Sequence, residues 1–189
     1  VTTRRLGLFG GTFDPPHFGH VAALRAANAT NRFDLIVVAV AGDPYLKSAR
    51  PALRPAALRL KMAEAAFGSL DFVEVSDREI RRVGPSYTID TVRELLAEAD
   101  EVDLIIGADL LRQLDTWHDA AALRELVRVG VVPRPGTATI VPSGWDGYEI
   151  PMDPVDLSSS FIREAAPDAK ILRKFIPEAV IPIYASFQG

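Results

Sequence analysis

Two histidines three positions apart, His17 and His20, stand in the segment Gly10–His20, GGTFDPPHFGH, of a chain that has only three histidines. Neither packing nor solubility calls for imidazoles at that spacing, and their neighbours are those of a phosphate-handling site. Gly10 and Gly11 let the backbone turn after the apolar run Leu6–Phe9 and approach a ligand without side-chain obstruction. Asp14-Pro15-Pro16 stiffens the next stretch. Gly19-His20 then opens a helix whose unpaired N–H groups and dipole favour an anion. Imidazoles at that helix start can donate hydrogen bonds to a phosphate that gains charge in its transition state.

The competing chemistry is a metal ion, which histidines three apart on a helix can share. The chain has no cysteine and His118 lies far along it, so the remaining ligands would have to be carboxylates. No carboxylate cluster demands a protein metal site, and none is expected; two plain structural histidines are the other alternative. The glycines at positions 7, 10, 11 and 19 do not form GxGxxG, and no GxxxxGK[ST] occurs. A dinucleotide-dependent hydride transfer and a P-loop kinase are therefore disfavoured.

The elements that must position these groups are legible. Runs apolar on both faces recur at Leu6–Phe9, Leu35–Ala41, Phe72–Val75, Leu104–Ile106 and Val127–Val132, as buried parallel strands require. Helical patterns fill the intervals at Gly19–Ala29, Pro55–Phe67, Thr88–Ala97 and Ala120–Leu126. In the second, Leu58, Met62 and Ala65 form the expected inner stripe. The third is expected to start on a Thr88 cap, with Ile89, Val92, Leu95 and Leu96 facing inward. Beyond Pro133 come loops around a short strand near Tyr148–Ile150, then helix at Ser158–Ala165 and again after Pro177. The alternation predicts a single domain over 1–189: α/β, a doubly wound, mainly parallel five- to six-stranded Rossmann-like sheet with helices on both faces. In such sheets ligands bind beyond the carboxyl ends of the strands. The strands exit there into Gly10-Gly11, Gly42-Asp43-Pro44, Gly84-Pro85-Ser86, Gly107-Ala108-Asp109 and Pro133–Gly136.

Composition narrows the setting. With 189 residues, 48% hydrophobic and 24% charged, the chain can bury a sizeable core. No apolar run approaches the roughly 20 residues of a membrane span. Arg4-Arg5 is followed only by Leu6–Phe9, too little for a signal peptide. Absence of cysteine makes a reducing cytoplasm the default expectation. A net charge of −4 argues against a nucleic-acid partner. Between Gly42 and Met62, however, Lys47, Arg50, Arg54, Arg59 and Lys61 face Asp43 alone. That is either a solvated helix face or a site for a small anion.

GTFDPPHFGH resembles the signature of the HxGH nucleotidyltransferases, and the chain as a whole is similar to the bacterial nicotinate-nucleotide adenylyltransferases. SYTIDT at Ser86–Thr91, IGAD at Ile106–Asp109 with Trp117, VPRPG at Val132–Gly136 and LSSSFIR at Leu157–Arg163 extend the likeness over nearly the whole chain. The resemblance implies transfer of AMP from ATP to nicotinate mononucleotide, giving deamido-NAD and pyrophosphate by direct in-line attack. ATP would lie along Gly10, Gly11, Thr12 and Phe13, with His17, Gly19 and His20 at its phosphates and the two histidines catalytic. Gly107 and Asp109 would attend its ribose side, and Ser158, Ser159 and Arg163 its β- and γ-phosphates. Tyr87, Thr88, Trp117 and the main chain of His118 would hold the pyridine ring and its carboxylate, and Lys47 and Arg134 the mononucleotide phosphate. Mg²⁺ would arrive with ATP.

Without the resemblance, Ser158–Ser160 is simply a helix cap, Arg163 an exposed arginine and Trp117 a core residue. The chain departs from the family at Asp43–Lys47, where Tyr45 and Leu46 replace a usual proline and histidine and Lys47 is kept. Another HxGH enzyme, such as a phosphopantetheine adenylyltransferase, and a catalytically silent nucleotide sensor are the alternatives. The apolar stretch Ile181–Phe187 can pack on the core or on a second subunit, which leaves a homo-oligomer open.

Overall fold

A computed structural model of the chain describes residues 3–44, 53–165 and 169–187. The apolar runs become six strands: β1 (Arg5–Gly11), β2 (Leu35–Val40), β3 (Val73–Ser76), β4 (Glu101–Gly107), β5 (Val127–Val132) and β6 (Gly147–Glu149). They form one sheet in the order β3-β2-β1-β4-β5-β6, and every pairing is parallel. The eight α-helices of the described residues are α1 (Phe18–Ala29), α2 (Ala56–Phe67), α3 (Arg78–Arg81), α4 (Thr88–Leu96), α5 (Ala120–Leu126), α6 (Ser159–Ala165), α7 (Ala169–Leu172) and α8 (Ile181–Ala185). The strand order reverses between β1 and β4, the switch point where a doubly wound sheet opens a crevice.

Period-two alternation along the strands builds two apolar layers. Ile36, Val38 and Val40 pack with Leu24, Ala27, Met62 and Phe67 of α1 and α2. Val37 and Ala39 join Leu6 and Leu8 against Ile89, Val92 and Leu95 of α4. Complete burial of a side chain such as Leu24 or Leu95 is worth roughly 1.5–3 kcal/mol. Ile181 and Tyr184 are buried, so the C-terminal segment packs on the core of its own chain.

Several local expectations change. The buried stripe of α2 is Arg59, Met62, Ala63, Ala66 and Phe67, with Leu58 and Ala65 only half-buried. The helix is turned to bring a guanidinium inward, because backbone carbonyls wait there for it. Tyr87, not Thr88, is the N-cap of α4, and no side chain caps it. A 3₁₀ helix at Ala108–Thr116 follows β4; its buried residues Ala108, Leu111 and Leu114 recur every third position, the period of that helix. Helices α3 and α7, of four residues each, were not expected.

Candidate active site

At the carboxyl ends of β1 and β4 the crevice is a cleft of about 400 Å³. Its walls bring together Gly10, Gly11, Thr12, Phe13, His17, His20, Thr88, Gly107, Asp109, Trp117, Arg134, Ser158, Ser159 and Arg163. These come from loops separated by up to most of the chain, and all were singled out by residue type or motif. A second, shallow hollow between α4 and α5 is walled by Leu96, Ala97, Ala122 and Leu126 with Arg93 and Glu125, and it lacks convergent donors.

The loop after β1 is closely packed on one side and open on the other. A Cβ on Gly10 would touch nothing within 4 Å, so its backbone lies open to a ligand. Phe13 takes φ 49°, a left-handed conformation that an aromatic adopts only when its surroundings hold it there. Its buried ring packs edge-on against Phe67 (5.5 Å) and His20 (5.1 Å), which provides that hold. His17 is the N-cap of α1, and its backbone N–H donates to Nδ1 of His20 at 3.1 Å. In a neutral His20 the ring proton is then on Nε2. The two imidazoles stack with centroids 3.7 Å apart.

Gly19 does not line the cleft; a Cβ there would lie 3.0 Å from Nδ1 of His17, so glycine makes room for the ring. Burial, reinforced by the positive charge of Arg134, pulls the pKa of His17 down to about 3, so that imidazole is neutral. Its Nδ1 is buried without a hydrogen-bond partner among the described residues.

Arginines brace the loop from behind. Arg54 pairs with the buried Asp14 carboxylate at 3.0 Å, and its backbone N–H donates to the other oxygen at 3.1 Å. The Arg54 guanidinium also lies 3.9 Å over the ring of Tyr184. Arg163 donates to the Asp14 carbonyl at 2.7 Å and to Ser160 Oγ at 3.1 Å. Arg59, only 2% exposed, donates to the carbonyls of Thr12, Gly42 and Arg54. Of the basic stretch read as an anion site or a solvated face, Arg54 and Arg59 are thus committed to loop oxygens, and Lys61 is exposed. Lys47 and Arg50, like Tyr45 and Leu46, lie outside the described residues.

On the far side, Ser158 does cap α6, accepting from the Phe161 N–H at 3.1 Å, while the Ser159 hydroxyl donates to the Pro15 carbonyl at 2.8 Å. Arg134 stands 3.5 Å from the Asp109 carboxylate and donates to the Leu157 carbonyl. A Cβ on Gly107 would collide with that same carboxylate. Thr88 and Trp117 line the cleft, and Trp117 is half-buried with its Nε1 lacking a partner among the described residues. Tyr87 and His118 stack on each other at 3.8 Å and are not among the cleft's walls.

Sequence reasoning passed over Glu79, a buried carboxyl in the cleft wall. Thr91 donates to it at 2.7 Å and Ser86 also hydrogen-bonds to it, while burial pushes its pKa up. Ser86 and Thr91 of SYTIDT therefore grip Glu79. Thr88, between them in the same motif, lines the cleft.

The cytidylyltransferase-like family model matches residues 8–165. A protein named probable nicotinate-nucleotide adenylyltransferase from Shouchella clausii is 37% identical over 179 residues, covering 94% of this chain and 92% of its own length. One of the same name from Dehalococcoides mccartyi is 35% identical over 95% of this chain and 94% of itself. The fold is shared with Plasmodium falciparum nicotinic acid mononucleotide adenylyltransferase complexed with NaAD, at a TM-score of 0.79 and 17% identity over 97% of this chain and 95% of that one. With the HxGH loop, the SYTIDT motif and the cleft joining them in place, the chain belongs to the nicotinate-nucleotide adenylyltransferases of the cytidylyltransferase-like family.

Proposed function

We propose that this chain transfers AMP from ATP to nicotinate mononucleotide, releasing pyrophosphate and deamido-NAD. The observation that carries the reading is that one cleft, at the β1–β4 switch point, joins the His17–His20 pair to Thr88 and Trp117. The first set suits phosphates and the second a flat heterocycle. ATP binds along Gly10–Phe13. The mononucleotide phosphate attacks the α-phosphorus in line, and pyrophosphate leaves toward Ser158, Ser159 and Arg163. The attacking phosphate is already anionic, so no general base or covalent intermediate is needed. Catalysis is positioning and charge stabilisation.

His20 donates through Nε2 to an α-phosphate oxygen that gains charge, and neutral His17 holds the ring and the helix start. The Trp117 indole lies against the pyridine ring, and the backbone around Thr88 and His118 meets the carboxylate. Arg134, turning from Asp109, meets the mononucleotide phosphate, and Lys47 assists there. The donors at the phosphate end are imidazoles, hydroxyls and guanidinium groups, which suit phosphate oxygens rather than a cation. Mg²⁺ accordingly enters with ATP, held by phosphates and water.

Pyrophosphate release measured with ATP and a panel of acceptors tests the assignment: nicotinate mononucleotide, nicotinamide mononucleotide and phosphopantetheine. Highest kcat/KM with nicotinate mononucleotide is expected. Preference for phosphopantetheine, or tight ATP binding without pyrophosphate release, would overturn it.

A further inference from the structure

Arg59 is the most deeply buried cation among the described residues, and nothing in the proposed chemistry uses it. Its three donating nitrogens reach three separate stretches of backbone. Nη1 donates to the Thr12 carbonyl at 2.9 Å, Nη2 to the Gly42 carbonyl at 3.2 Å and Nε to the Arg54 carbonyl at 2.9 Å. Thr12 belongs to the phosphate loop after β1. Gly42 and Arg54 stand near the two ends of the connection from β2 to α2. One planar fork thus ties the loop proposed to carry ATP to both ends of the neighbouring connection.

The Gly42 peptide is held from its other side as well. Its N–H donates to Ser86 Oγ at 2.9 Å, and the Asp43 N–H donates to the same oxygen at 3.1 Å. The Ser86 N–H returns a bond to the Asp43 carbonyl at 2.8 Å. Ser86 opens the motif that contains Thr88, and its hydroxyl donates a hydrogen bond to the Glu79 carboxyl. A side chain on Gly42 would run into the Glu79 carbonyl, so this close approach requires glycine. The result is a continuous chain of hydrogen bonds: Thr12 carbonyl, Arg59, Gly42 peptide, Ser86, Glu79. It starts at the phosphate loop and ends beside the pyridine-binding motif, and both of its ends line the cleft.

We propose that Arg59 is a positioning residue that, through the Gly42 peptide and Ser86, fixes the ATP half-site against the mononucleotide half-site. The inference rests on the adenylyl-transfer reading above. In-line displacement needs the attacking oxygen and the α-phosphorus aligned, and a misplacement of about 1 Å costs on the order of 10²-fold in rate. Each substrate touches only its own half-site. Slackening the link therefore lowers kcat and leaves each KM nearly unchanged.

Arg59→Lys keeps the charge but cannot span three carbonyls in a plane. Steady-state and single-turnover pyrophosphate release, measured per folded molecule below the variant's own Tm, is expected to show kcat reduced roughly 10- to 100-fold, with both KM values little changed. In Arg59→Ala, added guanidinium ion at non-denaturing concentration should restore part of the loss. Ser86→Ala removes a single oxygen from the opposite side of Gly42 and should also lower kcat. Because both residues act on one peptide, the Arg59→Lys, Ser86→Ala double variant should lose less than the product of the single losses.

A kcat per folded molecule equal to wild type in Arg59→Lys would overturn the proposal, leaving Arg59 with a stabilising role only. Fully multiplicative losses in the double variant would overturn it too. Wild-type enzyme assayed alongside separates the two readings. No wild-type turnover would sink the assigned reaction, whereas wild-type turnover with unaltered variants would sink the positioning role alone.

Discussion

His20 combines two jobs that different substitutions pull apart. Its Nδ1 accepts the His17 backbone N–H at 3.1 Å, closing the first turn of α1, so in the neutral ring the proton sits on Nε2, and the residue lines the cleft. The ring is fixed by the His17 imidazole at 3.7 Å and by the edges of Phe13 and Phe67 at 5.1 and 6.4 Å. A donor held on several sides has no reorganisation to undergo when the phosphate gains charge. Its loss should therefore cost about 2.7–4 kcal/mol of transition-state stabilisation, or about 10²–10³ in kcat.

His20→Asn places an amide oxygen near the Nδ1 position, so it keeps the helix-closing acceptor and loses the donor. His20→Gln places an amide N–H near Nε2 and loses the acceptor. The expected split is a near-normal Tm with kcat down 10²–10³-fold for Asn. For Gln the expectation is a helix-start loss of about 1 kcal/mol with kcat between that of Asn and wild type. Single-turnover quench with saturating ATP and mononucleotide reports the chemical step, and thermal melts report the cap. Wild-type single-turnover rates in His20→Asn would refute the donor role.

Trp117→Ala should raise KM for the mononucleotide by about tenfold, the worth of an aromatic stack of roughly 1.5 kcal/mol, and leave KM for ATP nearly unchanged; equal shifts would remove the stacking role. Asp14→Asn leaves the Arg54 guanidinium without its counter-charge, and a broken, largely buried pair costs about 3 kcal/mol, so Tm should fall by roughly 6–12 °C. A melt within a degree or two of wild type would show that Asp14 does not brace the loop. The folded pKa of His17, about 3, lies below its unfolded value of 6.5, so the unfolded chain binds the extra proton in that interval. Stability should be full above pH 6.5 and fall as pH drops, with His17 contributing up to about 1.4 kcal/mol per pH unit. Urea titrations of wild type and His17→Asn across pH 4–7.5 check this, because the other acid-sensitive groups are common to both; parallel curves would refute it.

The strands and most helices were legible because their signals are local. Leu35–Val40 is apolar at every position, short and rich in valine, which marks a strand buried on both faces, and Ile89, Val92 and Leu95 repeat at helical spacing. The Ala108–Thr116 turn was missed because its apolar residues repeat every three positions, a period between those sought for strand and helix. The cleft's lining was legible where a residue type has few other uses, as with His17, His20 and Trp117. It was not legible where a residue's meaning depends on backbone brought from elsewhere. Arg59 reads as one cation among five in a basic stretch, and only the fold puts the carbonyls of Thr12 and Gly42 in its reach. One signal was present: Arg59 lies at i−3 and i−7 from Met62 and Ala66, a charge on the helix stripe that must be buried. Glu79 shows no comparable pattern, since its helix is four residues long.

A run of positive charge in the sequence is therefore a poor guide to an anion site. Arg54 and Arg59 back the loop 12–15 outside the cleft walls, and both donate to oxygens of the protein itself, whereas Arg163 stands in the cleft wall as well as donating to the Asp14 carbonyl. These bonds hold the loop in place, and in the proposed reaction they would let neutral donors act at full strength. His17 fits the same logic, since burial and Arg134 keep it uncharged and it holds its place without drawing a counter-ion. Arg134 is arranged differently. It pairs with a mostly exposed Asp109, a contact worth little in water, so the mononucleotide phosphate proposed to bind there would replace that carboxylate at small cost. In the proposed reaction the charges of Arg54 and Arg59 stay committed behind the loop, while Arg134, in the cleft wall, exchanges its carboxylate partner for substrate phosphate.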